Sequence, residues 1–191
     1  MFIQTEDTPN PNSLKFTPSD VVICESGTKE FKNKDAAKKG SKLAFDLFKI
    51  DGVESTFFGS DFITVTKSEE TDWKAIKTEI MAAIVDFFVS GQDIFNKESV
   101  ESKSSGEEDS DVVKQIKELI EVKVRPAVAM DGGDIIYRDF KDGIVSLELK
   151  GACSGCPSST ITLKNGIESM LKHYIPEVLE VQQISEFDEE Y

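Results

Sequence analysis

The sequence predicts an α+β protein of two small domains joined by a charged linker. Apolar residues alternate with polar ones in short runs and recur at helical spacing in longer runs, so both strands and helices are expected. Between them, the segment Asn96–Asp109 has a single aliphatic residue and many charged ones, as is typical of a flexible linker. We therefore predict an N-terminal domain over 1–92, a flexible charged linker over 93–110 and a C-terminal domain over 111–187. A chain of 191 residues is long enough for both.

The N-terminal domain is predicted to have the element order ββαββα. It opens with short strands at 2–4 and 13–16, which are separated by a turn rich in proline and asparagine. Residues 21–24 form a strand-like β-branched run, and the polar, lysine-rich segment 27–40 is expected to be a loop.

The second half of this domain repeats the alternation of helix and strand. Ser41 is expected to cap a helix that ends at Asp51-Gly52. Residues 53–58 and 62–66 have the pattern of a hairpin with a short glycine-containing turn. Thr71-Asp72 is then expected to start a long amphipathic helix that ends near Gly91.

The C-terminal domain is predicted to have the order αββαβ. Its first helix begins near Asp111, and Pro126 is expected to end or bend it. Asp131–Asp134 reads as a turn, and its acidic side chains are expected at a solvated surface. The remaining elements are predicted as strands 135–140 and 144–149, a helix over 158–174 and a strand over 178–181.

The loop Gly151–Pro157 is where we expect the chemistry, because it contains the motif CxxC. Its small residues allow a tight turn, so that Cys153 and Cys156 can face the same object. Pro157 suits the first turn of a helix. Cysteines just before a helix N-terminus lie near the positive end of its dipole, which favours thiolate over thiol. A cytosolic CxxC is more often metal-binding or redox-active than accidental.

Three chemistries remain open from the residues alone: an iron–sulfur site, a zinc site and thiol–disulfide exchange. Clusters and structural zinc each take four ligands, and this loop offers two. Cys24 lies in the other domain and His173 lies about four helical turns away, so neither is an expected ligand. The shortage points to two subunits that share one labile metal centre. Thioredoxin-like exchange ranks second, since hairpin-linked strands before the motif do not suit that fold.

Composition excludes several function classes. The net charge of −14 and the pI near 4.5 argue against binding to nucleic acid or to an anionic membrane. No apolar stretch approaches the length of a membrane-spanning helix. Residues 1–7 resemble neither a secretory signal nor a transit peptide. We therefore expect a cytoplasmic protein, or a mature form that has already been trimmed.

Several segments of the chain resemble a known family. The C-terminal segments closely resemble the NifU-like (Nfu) C-terminal domain, and the opening segment looks like the N-terminal domain found with it in mitochondrial and alphaproteobacterial Nfu proteins. The segments that carry the resemblance are Asp131–Ile135, Val145–Gly151, Ala152–Thr160, Leu163–Glu168 and Met1–Phe16.

The resemblance implies a non-enzymatic iron–sulfur scaffold or carrier. It implies that Cys153 and Cys156 of two subunits hold one shared [4Fe–4S] cluster in a homodimer. The implied partners are apo iron–sulfur client proteins and upstream assembly factors. A CxxC dithiol oxidoreductase is the alternative function. The N-terminal domain has no motif that we can assign to chemistry, and we expect it to recognise clients or cluster donors. Because the chain opens without the long presequence of an unprocessed mitochondrial member, the resemblance favours a bacterial cytoplasmic protein, or a mitochondrial matrix protein if the chain is a processed form.

Overall fold

The computed structural model describes residues 2–96, 110–154 and 157–184. Within the chain, residues 1–103 and residues 104–191 form two separate units, which are described in turn.

The N-terminal unit contains an antiparallel sheet in the order β1-β2-β5-β4-β3. The pairing Phe16↔Ile63 joins its two hairpins at the centre of the sheet, and both side chains are fully buried. The strands are β1 (Ile3–Asp7), β2 (Ser13–Pro18), β3 (Lys29–Phe31), β4 (Val53–Phe58) and β5 (Ile63–Lys67).

Three helices of the N-terminal unit begin at polar N-cap residues. They are α1 (Lys34–Gly40), α2 (Lys42–Leu47) and α3 (Trp73–Val89). The predicted caps are confirmed: Ser41 Oγ accepts from the Ala44 N–H at 3.2 Å, and Asp72 accepts from the Lys74 N–H at 3.0 Å. Each cap satisfies a backbone donor that has no partner within its helix. Buried faces of α2 and α3 then pack with the sheet in one apolar cluster.

The segment 21–40 differs from its prediction. The strand-like run 21–24 is not a strand; it is held by the Ile23 N–H, which donates to the Ser60 carbonyl at 2.7 Å. The loop expected over 27–40 instead contains β3 and α1. Its polar composition indicated a loop, but each of the two elements has one buried apolar residue, Phe31 in β3 and Ala37 in α1. Tertiary packing of single residues therefore overrides the local pattern here.

The C-terminal unit has the predicted order αββαβ. Its sheet has the order β6-β7-β8, with β6 and β7 antiparallel and β7 and β8 parallel. The helix between β7 and β8 is thus the crossover that a parallel pair requires. The elements are α4 (Asp111–Leu119), α5 (Arg125–Met130), β6 (Gly133–Lys141), β7 (Ile144–Gly151), α6 (Pro157–Tyr174) and β8 (Glu180–Gln183).

Pro126 does not end the first helix of this unit. A π-helical turn, Ile120–Val124, joins α4 to α5, and Pro126 lies in the first turn of α5. The Arg125 N–H donates to the Ile120 carbonyl five residues earlier. A proline in the first turn of α5 has no N–H to be satisfied, so the wider π turn accommodates it without a break.

The last strand lies two residues later than predicted, over Glu180–Gln183. The Val181 N–H donates to a Glu168 carboxylate oxygen at 3.0 Å, which ties β8 to α6. Hydrogen bonds from Lys172 and from that backbone N–H lower the pKa of Glu168. Helix α6 is therefore fixed to the sheet by a polar contact as well as by the buried Ile167 and Leu171.

The first predicted linker residues belong to the N-terminal fold. The Lys42 N–H donates to the Ile94 carbonyl at 3.1 Å, and the Asn96 N–H donates to the Gly40 carbonyl at 3.0 Å. Residues 97–109, the rest of the predicted linker apart from 110, lie outside the described residues. Within the described part of the chain, we find no helix with the length and apolar character needed to cross a membrane.

Candidate functional site

The CxxC loop begins where β7 ends. Gly151 closes the strand with a φ of +67°, a conformation that glycine adopts without strain. The N–H and the hydroxyl of Ser154 both donate to the Gly151 carbonyl at 3.0 Å. The Ala152 N–H donates to the Gly132 carbonyl at 3.2 Å, which ties the loop to the turn before β6. The first half of the loop is therefore a tight turn with a defined backbone.

Cys153 is buried, with only 5% of its surface exposed, and it packs in the apolar cluster of the C-terminal unit. Its sulfur lies against Gly133 at the start of β6. A Cβ atom added at Gly133 would lie 2.8 Å from Cys153 Sγ and 2.6 Å from the Lys150 carbonyl oxygen. Both distances are shorter than van der Waals contact, so the position of this sulfur requires a glycine at 133.

Cys156 lies outside the described residues, and α6 begins directly after it at Pro157. The expectation that the two sulfurs face one object therefore stays a prediction. The strand-to-helix corner between β7 and α6 is present as the sequence analysis expects.

The turn beside the loop is held by an ion pair that the sequence analysis missed. Asp134 is 3% exposed and accepts from Arg125 Nε at 2.9 Å and from the Ile135 N–H at 2.8 Å. Arg125 also binds Glu121 and donates to the Ile135 carbonyl at 3.3 Å. The expectation of solvated acidic side chains is thus wrong for Asp134. No local pattern signals this pair, because its members lie on different elements.

The charge state of Arg125 follows from these contacts. Partial burial alone would lower its pKa, but hydrogen bonds and charge attraction from Glu121 and Asp134 outweigh burial and raise it. The guanidinium therefore stays charged and joins the helix to the strand that begins beside Cys153.

Asp134→Asn is expected to lower the free energy of unfolding by about 1–3 kcal/mol, because it removes the buried carboxylate that pairs with Arg125 and leaves that guanidinium only the exposed Glu121. Urea unfolding followed by circular dichroism measures this loss. Asp139→Asn is the matched control: Asp139 also accepts from the next backbone N–H, of Phe140, but it is exposed and lies on the same strand. Equal losses for the two variants would contradict the role assigned to the ion pair.

The other candidate ligands lie where the sequence analysis expects them. Cys24 is 4% exposed in the N-terminal core, and its thiol is 3.7 Å from the Phe58 carbonyl oxygen. Burial raises the Cys24 pKa to about 11, against a smaller opposing effect of Lys29, so this sulfur stays protonated at neutral pH. His173 is exposed in the last turn of α6, where its ring contacts Tyr174. Among the residues that the structure describes, no three His, Cys, Asp or Glu side chains are grouped to hold a metal ion.

Taken together, the corner between β7 and α6 holds the Cys153 sulfur in a defined position, four residues before α6 begins. One sulfur held by packing is a suitable ligand for a soft metal centre, which prefers thiolates. A site that is complete within one chain would need further ligands close by, and the described residues offer none grouped for it.

Both units match known family models. Residues 3–91 match the model described as "Scaffold protein Nfu/NifU N terminal", and residues 116–182 match the "NifU-like domain".

Relatives match along nearly the whole chain. The human protein named "NFU1 iron-sulfur cluster scaffold homolog, mitochondrial" is 55% identical over 185 residues, which cover 96% of this chain and 72% of the relative. The Arabidopsis thaliana "NifU-like protein 4, mitochondrial" is 52% identical over 195 residues, which cover 100% of this chain and 68% of that relative. A solution structure of a NifU-like protein from Saccharomyces cerevisiae is 35% identical with a TM-score of 0.46, and covers 51% of this chain and 87% of that chain.

These names correct one prediction. The sequence analysis favoured a bacterial cytoplasmic protein, and this is wrong, because the human and Arabidopsis relatives are both named mitochondrial. The prediction relied on the composition of residues 1–7. Since β1 occupies Ile3–Asp7, that composition reflects a strand of the folded unit rather than a compartment.

Proposed function

Because the chain belongs to the NifU-like Nfu family, we propose that it is an iron–sulfur cluster scaffold whose cargo is held by the CxxC loop. The observation that supports this most directly is the tight turn that holds the Cys153 sulfur against Gly133. Cys153 and Cys156 are the proposed ligands. The names of the human and Arabidopsis relatives support the same role.

The proposed cargo is a [4Fe–4S] cluster that two copies of the chain share. Each iron of such a cluster takes one thiolate, and one CxxC loop supplies only two. Cys24 is not a proposed ligand, because it is buried in the core of the N-terminal unit and burial raises its pKa, which keeps the thiol protonated at neutral pH. A homodimer with one loop from each copy gives the required four sulfurs.

A cluster held between two copies has only two of its four thiolate ligands in each chain, so it can leave when the copies separate. We propose that it comes from upstream assembly factors and passes to apo iron–sulfur proteins, while the chain itself catalyses no reaction. The N-terminal domain, predicted over 1–92 and continued through residue 96 by its hydrogen bonds, is proposed to recognise donors or clients. The proposed linker to the cluster domain, 111–187, is then 97–110. The relatives' names support mitochondria as the compartment.

The alternative, a dithiol oxidoreductase, requires an attacking sulfur that a disulfide can reach. Cys153, the first cysteine of the motif, is 5% exposed, so its sulfur must become accessible for either chemistry, and burial does not separate the two functions. The antiparallel pair β6–β7 before the motif argues against the alternative, because it differs from the parallel frame of a thioredoxin-like site.

Anaerobic reconstitution of the full chain with ferrous iron and sulfide tests the proposal. We expect roughly four irons and four sulfides for every two chains, with the absorption of a [4Fe–4S] cluster and a dimer in sedimentation. Incubation with an apo-ferredoxin of the four-iron type should then move the cluster to the ferredoxin.

Two other outcomes would each replace the proposal. Reduction of insulin disulfides without uptake of iron would identify an oxidoreductase. A chain that binds zinc and unfolds when a chelator removes it would identify a zinc-stabilised module.

A further inference from the structure

One side of α6 is exposed and begins beside the CxxC loop. Its residues recur at spacings of about four, which places them on one side of a helix. We call this side the neutral face; it consists of Ile161, Thr162, Asn165, Gly166 and Ser169. The opposite side of the helix packs Ile167 and Leu171 in the core. Ile161 keeps 62% of its surface exposed, although it is a large apolar residue.

The neutral face is unusual for its lack of charge. Residues 157–167 contain one ionisable side chain, Lys164, in a chain where 30% of residues are charged. Lys164 Nζ is 3.9 Å from a Glu180 carboxylate oxygen, so an acidic neighbour offsets its charge. Two copies of a chain with a net charge of −14 repel each other over most approaches. Further along the same side of α6, the exposed Lys172 is paired with Glu168, with Nζ 2.6 Å from a carboxylate oxygen, so this pair adds no net charge. A face without net charge beside the loop lowers the repulsion where the loops would meet.

Gly166 gives a second reason to expect close approach at this face. A glycine inside a helix disfavours folding by about two- to fivefold relative to alanine. Among the described residues, nothing lies within 4 Å of a Cβ atom built at Gly166, so packing within the chain does not require this glycine. The absence of a side chain does allow a second helix to approach the backbone closely.

We propose that a second copy of this chain docks on the neutral face, so that the two α6 helices pack against each other beside the shared cluster. This inference depends on the proposed function, which requires the two loops to meet. Pro157, the first residue of α6, follows Cys156 directly in the sequence, and Ile161 lies four residues later, or about 6 Å of helix rise. Two loops that share a cluster therefore bring these helix starts together. A twofold axis makes each neutral face the partner of its own copy.

Sedimentation velocity of the reconstituted full chain, followed by cluster absorbance, tests the interface. Ile161→Glu places two carboxylates near the axis and is expected to weaken the holo dimer by about tenfold or more. Ile161→Lys is expected to do the same. An equal mixture of the two variants, reconstituted together, should restore dimerisation, because opposite charges then face each other.

Matched variants separate the interface from general effects. Val122→Glu is the control, since Val122 is 65% exposed in the same unit but lies on the π-helical turn, and its holo dimer should equal wild type. Gly166→Ala should raise the unfolding midpoint of the apo chain and yet weaken the holo dimer. A purely structural glycine would change both in the same direction.

The results distinguish a failure of this interface from a failure of the proposed function on which it depends. Uptake of cluster by a wild-type monomer, or no uptake of iron at all, would overturn the proposed function and the interface together. A normal wild-type holo dimer that Ile161→Glu leaves equally tight would overturn the interface alone. Failure of the mixed variants to restore the dimer would likewise show that Ile161 does not face its own copy.

Discussion

Replacement of Cys153 or Cys156 by alanine is expected to lower iron and sulfide binding by at least about tenfold, because each change removes one of the two thiolates that a copy supplies. In a twofold dimer each substitution removes two of four ligands. Alanine is preferred to serine at 153, since Cys153 is buried among apolar side chains and a serine would place a polar hydroxyl there, which costs free energy. Iron and sulfide counts after anaerobic reconstitution measure the loss.

Cys24→Ala is the matched control for Cys153→Ala. Both sulfurs are buried to nearly the same extent, at 4% and 5% exposure, and both pack in an apolar core. The two substitutions therefore remove the same atoms from equivalent surroundings. Only the variant at 153 should lose iron, whereas both should remain folded by circular dichroism. Retention of iron by Cys153→Ala, or its loss in Cys24→Ala, would contradict the assigned ligands.

Gly133→Ala is expected to lower the free energy of unfolding by about 2 kcal/mol, because its Cβ overlaps a backbone oxygen that cannot move freely. The added atom would lie 2.6 Å from the Lys150 carbonyl oxygen and 2.8 Å from Cys153 Sγ. Relief of the second contact displaces the sulfur, so cluster uptake should fall as well. Urea unfolding of the apo chain and iron counts measure the two effects.

Gly166→Ala adds the same methyl group to the same unit without a neighbour within 4 Å among the described residues. It is expected to stabilise the apo chain by about 0.5–1 kcal/mol, the usual gain of alanine over glycine inside a helix. Opposite signs for the two alanines would show that contact at 133, rather than the change from glycine itself, causes the loss. A stable Gly133→Ala chain with full cluster uptake would contradict the assigned contact.

Most of the fold could be predicted from local patterns. Capping side chains such as Ser41 and Asp72 act within a few residues, so sequence alone identifies where their helices start.

Strand β3 was missed because its one buried side chain, Phe31, packs on Phe58 of the neighbouring strand and the rest of the strand is polar. Helix α1 does have a local signal, the Asn33 cap, but its lysine-rich sequence contains one buried residue, Ala37, and no apolar face. The sequence also predicted that Pro126 would end or bend its helix. It does not end the helix, because a π-helical turn just before it accommodates the proline.

The candidate site, too, could be predicted from the sequence only where its features depend on neighbouring residues. The spacing of Cys153 and Cys156 is a property of the sequence, and so is the shortage of further ligands near the motif. The ion pair Arg125–Asp134 joins a helix to a strand, and no local pattern signals it.

By itself, the sequence determined the α+β class, the CxxC loop at a strand-to-helix corner and the resemblance to the Nfu family. These depend on the order and spacing of residues along the chain. Only the tertiary structure decided that Cys153 is buried, that Gly133 must lack a side chain, and that the side of α6 with Ile161 and Gly166 is exposed. Burial and close approach are set by residues far apart in sequence, which meet only when β6, β7 and α6 pack together. The loop that the sequence identifies is therefore positioned by residues that the sequence could not connect to it.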